Sequence, residues 1–259
     1  MIDPGFSYDQ VSVGIYHSCG ITTLGVLKCW GYNALGRLGD GSTTDRWSPV
    51  IIEWGTSFKA VSAAQNHTCA ITTTGALKCW GYNERGILGD GTTENRLSPK
   101  TIDLEVNDSQ VSTGVTHTCG ITTSGVAKCW GDNQSGELGD GGGGFVPAPV
   151  LIDSQNNYSQ IVSGWSHSCA LSPTGNIKCW GDNSMGQLGD GSSINKIVPE
   201  AIASSQKFTK LSSGYLHSCG ISENSKLICW GNNSYGPIGD GTTVRRATPV
   251  DIDSTYNYS

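Results

Sequence analysis

The chain has 259 residues, of which 36 are glycine and only 15% are charged, with a formal net charge of −6. That length buries a sizeable core unaided. The few scattered Lys and Arg residues exclude a phosphate-backbone partner, so no nucleic acid is expected; no apolar run reaches the ~20 residues of a membrane span, so no membrane insertion is expected either.

In chain order, Val11 to Thr22 (VSVGIYHSCGIT) carries a strand signal broken at Gly14. Thr23-Leu24-Gly25 reads as a three-residue hairpin loop with glycine in the left-handed position. Val26 to Trp30 is the returning strand, and Gly31 to Gly41 (GYNALGRLGDG) is a glycine-rich loop. Ser48-Pro49-Val50-Ile51-Ile52 is a short final strand, whose proline suits an edge. With Val11–Val13 and His17–Thr22 as separate strands, the unit is a four-stranded antiparallel sheet. Ahead of it, Met1-Ile2-Asp3-Pro4-Gly5 has no targeting pattern and reads as the start of a trimmed or mature domain.

This unit recurs. His17, His67, His117, His167 and His217 are all the histidines present, and they keep a fifty-residue beat. The ten cysteines keep it in two series: Cys19, Cys69, Cys119, Cys169, Cys219 and Cys29, Cys79, Cys129, Cys179, Cys229. Trp30, Asp40 and Pro49 each recur in all five copies. A sheet of this kind buries both faces only by stacking on copies of itself, as in propellers; solenoid turns are much shorter. The expected fold is all-β, a β-propeller of five four-stranded antiparallel blades of about 50 residues. It forms a single domain over 1–259, with units near 8–57, 58–107, 108–157, 158–207 and 208–259. Ile252-Asp253, Tyr256 and Tyr258 repeat Ile2-Asp3, Phe6 and Tyr8 once more than five closed blades require. Two arrangements fit, a five-bladed ring with one frayed end or a segment of a longer array; the ring is preferred.

If Thr22 pairs with Val26 across the loop, Cys19 falls opposite Cys29, and the same register holds in every copy. Opposed residues at a non-hydrogen-bonded site stand close enough for a disulfide after modest adjustment. Five intrablade disulfides are therefore expected, and with them an oxidising location: extracellular, periplasmic or cell surface. Zinc on His17, Cys19 and Cys29 is the rival, but the close Cys-x-x-Cys pairs of structural zinc sites are missing. Buried reduced thiols are the other alternative. Calcium at Asp40–Asp45 is disfavoured because the third and fifth copies lack the second acid, so no metal is expected.

The recurring histidines are expected to be structural, their ring nitrogens satisfying a neighbouring blade's backbone. Trp30 and its equivalents are expected to pack between blades, and Asp40 and its equivalents to accept turn N–H bonds. No nucleophile–base–orienter set is unique to one blade, and no phosphate-cradling loop precedes a helix. The chain is accordingly expected to be no enzyme and to need no cofactor.

The motifs Gly14-Ile15-Tyr16-His17-Ser18-Cys19, Gly25-Val26-Leu27-Lys28-Cys29-Trp30-Gly31, Asn33, Gly36 and Leu38-Gly39-Asp40-Gly41 resemble the repeat of the regulator of chromosome condensation family. The resemblance spans essentially the whole chain and recurs five times. It implies a propeller, although family members typically have seven blades. It also implies a binding or regulatory role. The family's guanine-nucleotide exchange activity is one alternative, while its bacterial members that grip β-lactamases through an aromatic-rich face give the nearest analogy.

Positions that differ between copies are free to recognise something. The pair before each histidine reads Ile15-Tyr16, Gln65-Asn66, Val115-Thr116, Trp165-Ser166 and Tyr215-Leu216, and these ten residues are expected to ring one mouth of the propeller. Tyr16, Trp165 and Tyr215 give that ring the aromatic character of a binding hot spot. A second variable set, Tyr32, Tyr82, Asp132, Asp182, Asn232 with Leu35, Arg85, Ser135, Met185, Tyr235, follows each Trp-Gly pair. The expected function is a non-enzymatic module gripping a protein partner. A lectin-like, carbohydrate-binding propeller is the alternative, disfavoured because a lectin would repeat its site residues in every blade.

Overall fold

The structure, a computed structural model, describes residues 3–102 and 106–252. Ile2, Asp253, Tyr256 and Tyr258, which carry most of the surplus repeat signal, lie outside that range.

Among the described residues, twenty strands form five separate four-stranded sheets, each antiparallel throughout and ordered as in the chain. In the first blade these are β1 (Tyr8–Val13), β2 (His17–Thr22), β3 (Leu27–Gly31) and β4 (Arg46–Ile51). The hairpin glycine Gly25 takes φ 78°, the left-handed value that a three-residue loop needs. That loop fixes the register, with Ile21 opposite Leu27, Gly20 opposite Lys28 and Cys19 opposite Cys29. The same cysteine opposition recurs in the other four blades. Each opposed pair is a disulfide with Cα atoms 4.0–4.1 Å apart. Both thiols are consumed in the bond, so the zinc and free-thiol alternatives fall. Pro49 lies in β4, the outer edge strand, where its missing N–H leaves no ladder bond unmade.

Blades stack through one repeated set of contacts. Cys19, Ile21, Leu27, Cys29, Leu38 and Ile52 of the first blade form one cluster with Phe58, Val61, Ala70 and Trp80 of the second. Equivalent clusters join the second blade to the third, the third to the fourth and the fourth to the fifth. Trp80, Trp130, Trp180 and Trp230 are wholly buried, each lying against a loop glycine of the preceding blade where a Cβ would sit within 2.5–2.7 Å of the ring.

The histidines couple blades in a way only partly foreseen. His17 Nε2 meets the Thr68 hydroxyl of the next blade at 2.7 Å, and that hydroxyl donates to the Arg37 carbonyl at 2.8 Å. Equivalent contacts run His67–Thr118–Ile87, His117–Ser168–Glu137 and His167–Ser218–Gln187. The ring thus bonds a neighbouring side chain, not the neighbouring backbone directly, and Nδ1 of His17, His67, His117 and His167 has no partner among the described residues. The recurring aspartate behaves as expected and does more. Asp40 accepts from the Ser42 N–H at 3.0 Å, and also from the Asn33 side chain and Arg46 Nε.

Among the described residues, no hydrogen bond, ion pair or hydrophobic cluster joins the fifth blade to the first. The five blades make a propeller in which, among the described residues, the outer faces of the first and fifth blades lack the contacts found at the four interior junctions. The contacts that would close the preferred ring are not present among the described residues.

Candidate functional site

The strand order puts two loops of every blade at the same end. One joins the innermost strand to the next and carries residues 14–16 in the first blade; the other is the glycine-rich loop over residues 32–45. A backbone bond from Tyr32 N–H to the Tyr16 carbonyl, repeated as Tyr82–Asn66, Asp132–Thr116, Asp182–Ser166 and Asn232–Leu216, locks the two loops together. The hairpin loops around Gly25 and its equivalents lie at the opposite end. All the variable positions singled out from sequence therefore share one face.

The glycine-rich loop is held by a buried asparagine. Asn33 Nδ2 donates to Asp40 and to the carbonyls of Ser42 and Thr44, while its Oδ1 accepts the Leu38 N–H. Asn83, Asn133, Asn183 and Asn233 are buried in the same place, and each accepts the equivalent N–H. Sequence reasoning noted Asn33 only within a motif. Its fifty-residue recurrence was the available signal for a loop keystone.

The ten variable residues split into two groups. Ile15, Gln65, Val115, Trp165 and Tyr215 line a cavity of about 260 Å³ that opens where the innermost strands of all five blades converge. Tyr16, Asn66, Thr116, Ser166 and Leu216 do not line it; the bonds above set them beside the glycine-rich loops. The aromatic residues follow the same division. Trp165 and Tyr215 stack across the fourth and fifth blades with ring centroids 4.1 Å apart and planes inclined by 26°, and the Trp165 N–H reaches the Tyr215 carbonyl at 3.2 Å. Tyr16 instead meets Tyr32 edge to face at 6.0 Å.

Beneath this face lies a column that sequence reasoning missed: Arg37, Ile87, Glu137 and Gln187, all buried. It varies in charge from copy to copy, which was the signal. Arg37 donates to the Gln65 carbonyl at 2.9 Å and lies 4.8 Å from the Tyr32 ring, a cation–π arrangement. Burial pulls the Arg37 pKa below its usual value, with Tyr32 and Tyr16 acting in the opposite sense. Burial pushes Glu137 above the ordinary carboxylate range; its own and Ser135's N–H groups oppose this, and the carboxylates of Asp132 and Asp182 add to it. Asp132 pairs with Arg85 across the second and third blades at 3.1 Å. Of the second variable set, Tyr235 is almost wholly exposed, and Tyr32 and Met185 are partly so. The face is thus cationic and aromatic beside the first blade, acidic beside the third and fourth, and aromatic again across the fourth and fifth. Among the described residues, no group of three His, Cys, Asp or Glu side chains could hold a metal ion.

Comparison with known proteins agrees with this architecture. No curated protein matches the chain. Among solved structures, human WBSCR16 superposes with a TM-score of 0.85 at 21% identity, covering 95% of this chain and 67% of that one. Yeast RCC1 (Prp20), in its structure with Kap60, superposes at 0.62 with 18% identity, covering 95% and 75%. The ectodomain of the Physcomitrella patens receptor kinase CR4 superposes at 0.61 with 20% identity, covering 89% and 54%. The model of the RCC1-like domain matches residues 3–258. Over almost its whole length, then, this chain belongs to the RCC1-like domain family.

Proposed function

We propose that this chain is a non-enzymatic binding module that grips one asymmetric protein partner, outside the reducing cytosol, through the face bearing the variable loops. One observation carries the reading: five scaffold-locked loop pairs bring non-repeating side chains to a single cavity mouth, with the Trp165–Tyr215 stack and Ile15 exposed at its rim. Aromatic side chains at a rigid, partly desolvated rim are what protein hot spots are made of. A sugar site repeated blade by blade would need repeated residues, and these differ in every blade.

The location rests on the five disulfides, which persist where thiols are oxidised. A receptor ectodomain among the structural neighbours points the same way. Yeast RCC1 binds Kap60 in its own structure, and this partner is that protein's. An exchange-factor role draws support here from the shared fold alone.

The test uses photo-crosslinking side chains placed at Ile15 and at Leu24, which lies at the opposite end and is exposed. In the native source material, position 15 should capture one discrete protein and position 24 should not. Trp165→Ala with Tyr215→Ala should lower that capture at least tenfold, a loss of about 1.4 kcal/mol or more. Equal capture from both ends would sink the reading. Saturable glycan binding at this face, displaced by free sugar, would replace it with the carbohydrate alternative.

A further inference from the structure

The four interior blade junctions repeat four matched contacts besides their hydrophobic cluster. The indole of Trp80, Trp130, Trp180 or Trp230 covers Gly39, Gly89, Gly139 or Gly189 of the preceding blade. A second loop glycine, Gly36, Gly86, Gly136 or Gly186, is covered by Leu97, Pro147, Ile197 or Ala247. The carbonyls of these same residues accept the N–H of Gly41, Gly91, Gly141 and Gly191 at 2.8–2.9 Å. Finally, each histidine meets the hydroxyl described above.

Both outer faces carry one half of this set and lack the other. On the first blade Trp30 is only half-buried, and Trp47, which stands where Leu97, Pro147, Ile197 and Ala247 stand, is 90% exposed. Val11 and Val13 on its innermost strand are 62% and 68% exposed, whereas Val61, equivalent to Val11, is 4% exposed. On the fifth blade a Cβ at Gly236 or Gly241 would meet nothing, and one at Gly239 would meet only Ile252 of its own blade. His217 has no hydroxyl partner among the described residues. Ile221 and Leu227 line an open apolar cleft, while their equivalents Ile71 and Leu77 are wholly buried.

The two faces fit each other by the rule that builds the interior. Trp47 matches the socket at Gly236, Trp30 the socket at Gly239, and the Ser18 hydroxyl the ring of His217. Among the described residues, these halves make no contact with each other within one molecule. We propose that the outer face of the fifth blade is a docking surface for the outer face of the first blade of a second copy of this chain. The contact is head-to-tail, so each copy retains one free face and association can continue into a closed ring or a longer array. Large exposed apolar patches on a folded protein mark such surfaces.

Sedimentation velocity of the oxidised chain across a concentration series is the test. The wild type should associate as concentration rises. Trp47→Asp, at a side chain already in solvent, should remain folded by circular dichroism and lose association by at least tenfold. Leu227→Lys, on the other face, should do the same. An equimolar mixture of the two variants should form dimers and nothing larger, because only one intact pair of faces remains. A wild type that stays monomeric up to millimolar concentration overturns the proposal, including the case in which its Trp47 becomes buried by closure within one molecule. Association that persists in Trp47→Asp, or dimers absent from the mixture, overturns it as well. None of these outcomes depends on the variable-loop face or on its partner.

Discussion

At the scale of single residues, the imidazoles have the largest consequence. Thr68 spends its hydroxyl proton on the Arg37 carbonyl, so in the contact with His17 the ring must donate from Nε2 and carry a bare Nδ1. A neutral tautomer is therefore built into the junction, and the surroundings enforce it. Burial first, then the Arg37 charge, lowers His17 to about 4. Burial, helped by neighbouring rings, lowers His67 and His117 to about 3. Burial lowers His167 to about 4 against the opposing Asp182 carboxylate, with His217 adding to the fall. In the unfolded chain each ring titrates near 6.5. Between these values the unfolded state takes up protons that the folded state refuses, so the stability is fully present above pH 6.5 and drains away as pH falls. Asp40, Asp90 and Asp190 act in the same sense at lower pH. Burial raises them, but bonds from Ser42, Thr92 or Ser192 and from the basic residue of β4 or its equivalent outweigh it and hold them below 3.8. Glu137, whose pKa is raised, opposes the trend by one group. The urea midpoint should therefore decline steadily from pH 6.5 to pH 4 at constant m, a loss of about 3 kcal/mol or more. A flat profile over that window would show that the rings are not held neutral between blades.

At the scale of the element, the hairpin was the most legible part of the chain. A three-residue loop with one left-handed glycine leaves a single register, so the opposition of Cys19 and Cys29 followed from counting outward from Gly25. The ends of strands were less legible. The outer strand begins at Arg46 instead of Ser48, because Arg46 pairs with Gly31 across a bulge that skips Trp30. Alternation alone does not locate such a bulge. The five staples share one sequence spacing but not one environment. Cys19–Cys29, Cys69–Cys79, Cys119–Cys129 and Cys169–Cys179 are wholly buried, whereas Cys219 faces the uncovered side of the fifth blade and is partly exposed. Thiol–disulfide exchange needs an attacking thiolate to reach sulfur. Under native conditions with limiting reductant, mass mapping of alkylated cysteines should find Cys219 and Cys229 labelled first, ahead of the other four pairs by an order of magnitude in rate. Equal rates would mean that reduction proceeds through global unfolding and that the fifth blade is as well covered as the rest.

At the scale of the whole molecule, comparing columns fifty residues apart made the blade legible and hid the array. Column comparison treats Trp30 and Trp80 as equivalent, yet Trp80 lies on Gly39 of the preceding blade, whereas Trp30 meets no such glycine among the described residues. It likewise treated Ile15 and Tyr16 as one unit, although consecutive residues in an extended loop point different ways and only Ile15 reaches the cavity. The buried column under the variable face escaped because Arg37, Ile87, Glu137 and Gln187 share no chemistry, only a position. What the sequence could not encode locally is neighbourhood. In a stacked array each blade's stability is its own plus that of the junctions it makes. Among the described residues, blades two, three and four each make two junctions and blades one and five make one each. Native-state hydrogen exchange should therefore report the strongest protection in the middle strands of the third blade, with weaker protection on both sides. The first and fifth should exchange through local opening at a lower free-energy cost than the interior blades. Repeating the measurement at high protein concentration separates two causes of that gradient. If the end blades are weak only because their outer faces are uncovered, a second copy seated there should raise protection at β1 and in the strands around Leu227 while leaving the third blade unchanged. If protection is uniform across all five blades at low concentration, the junctions between neighbouring blades are not what holds each blade folded, and the disulfides and intrablade ladders must suffice alone.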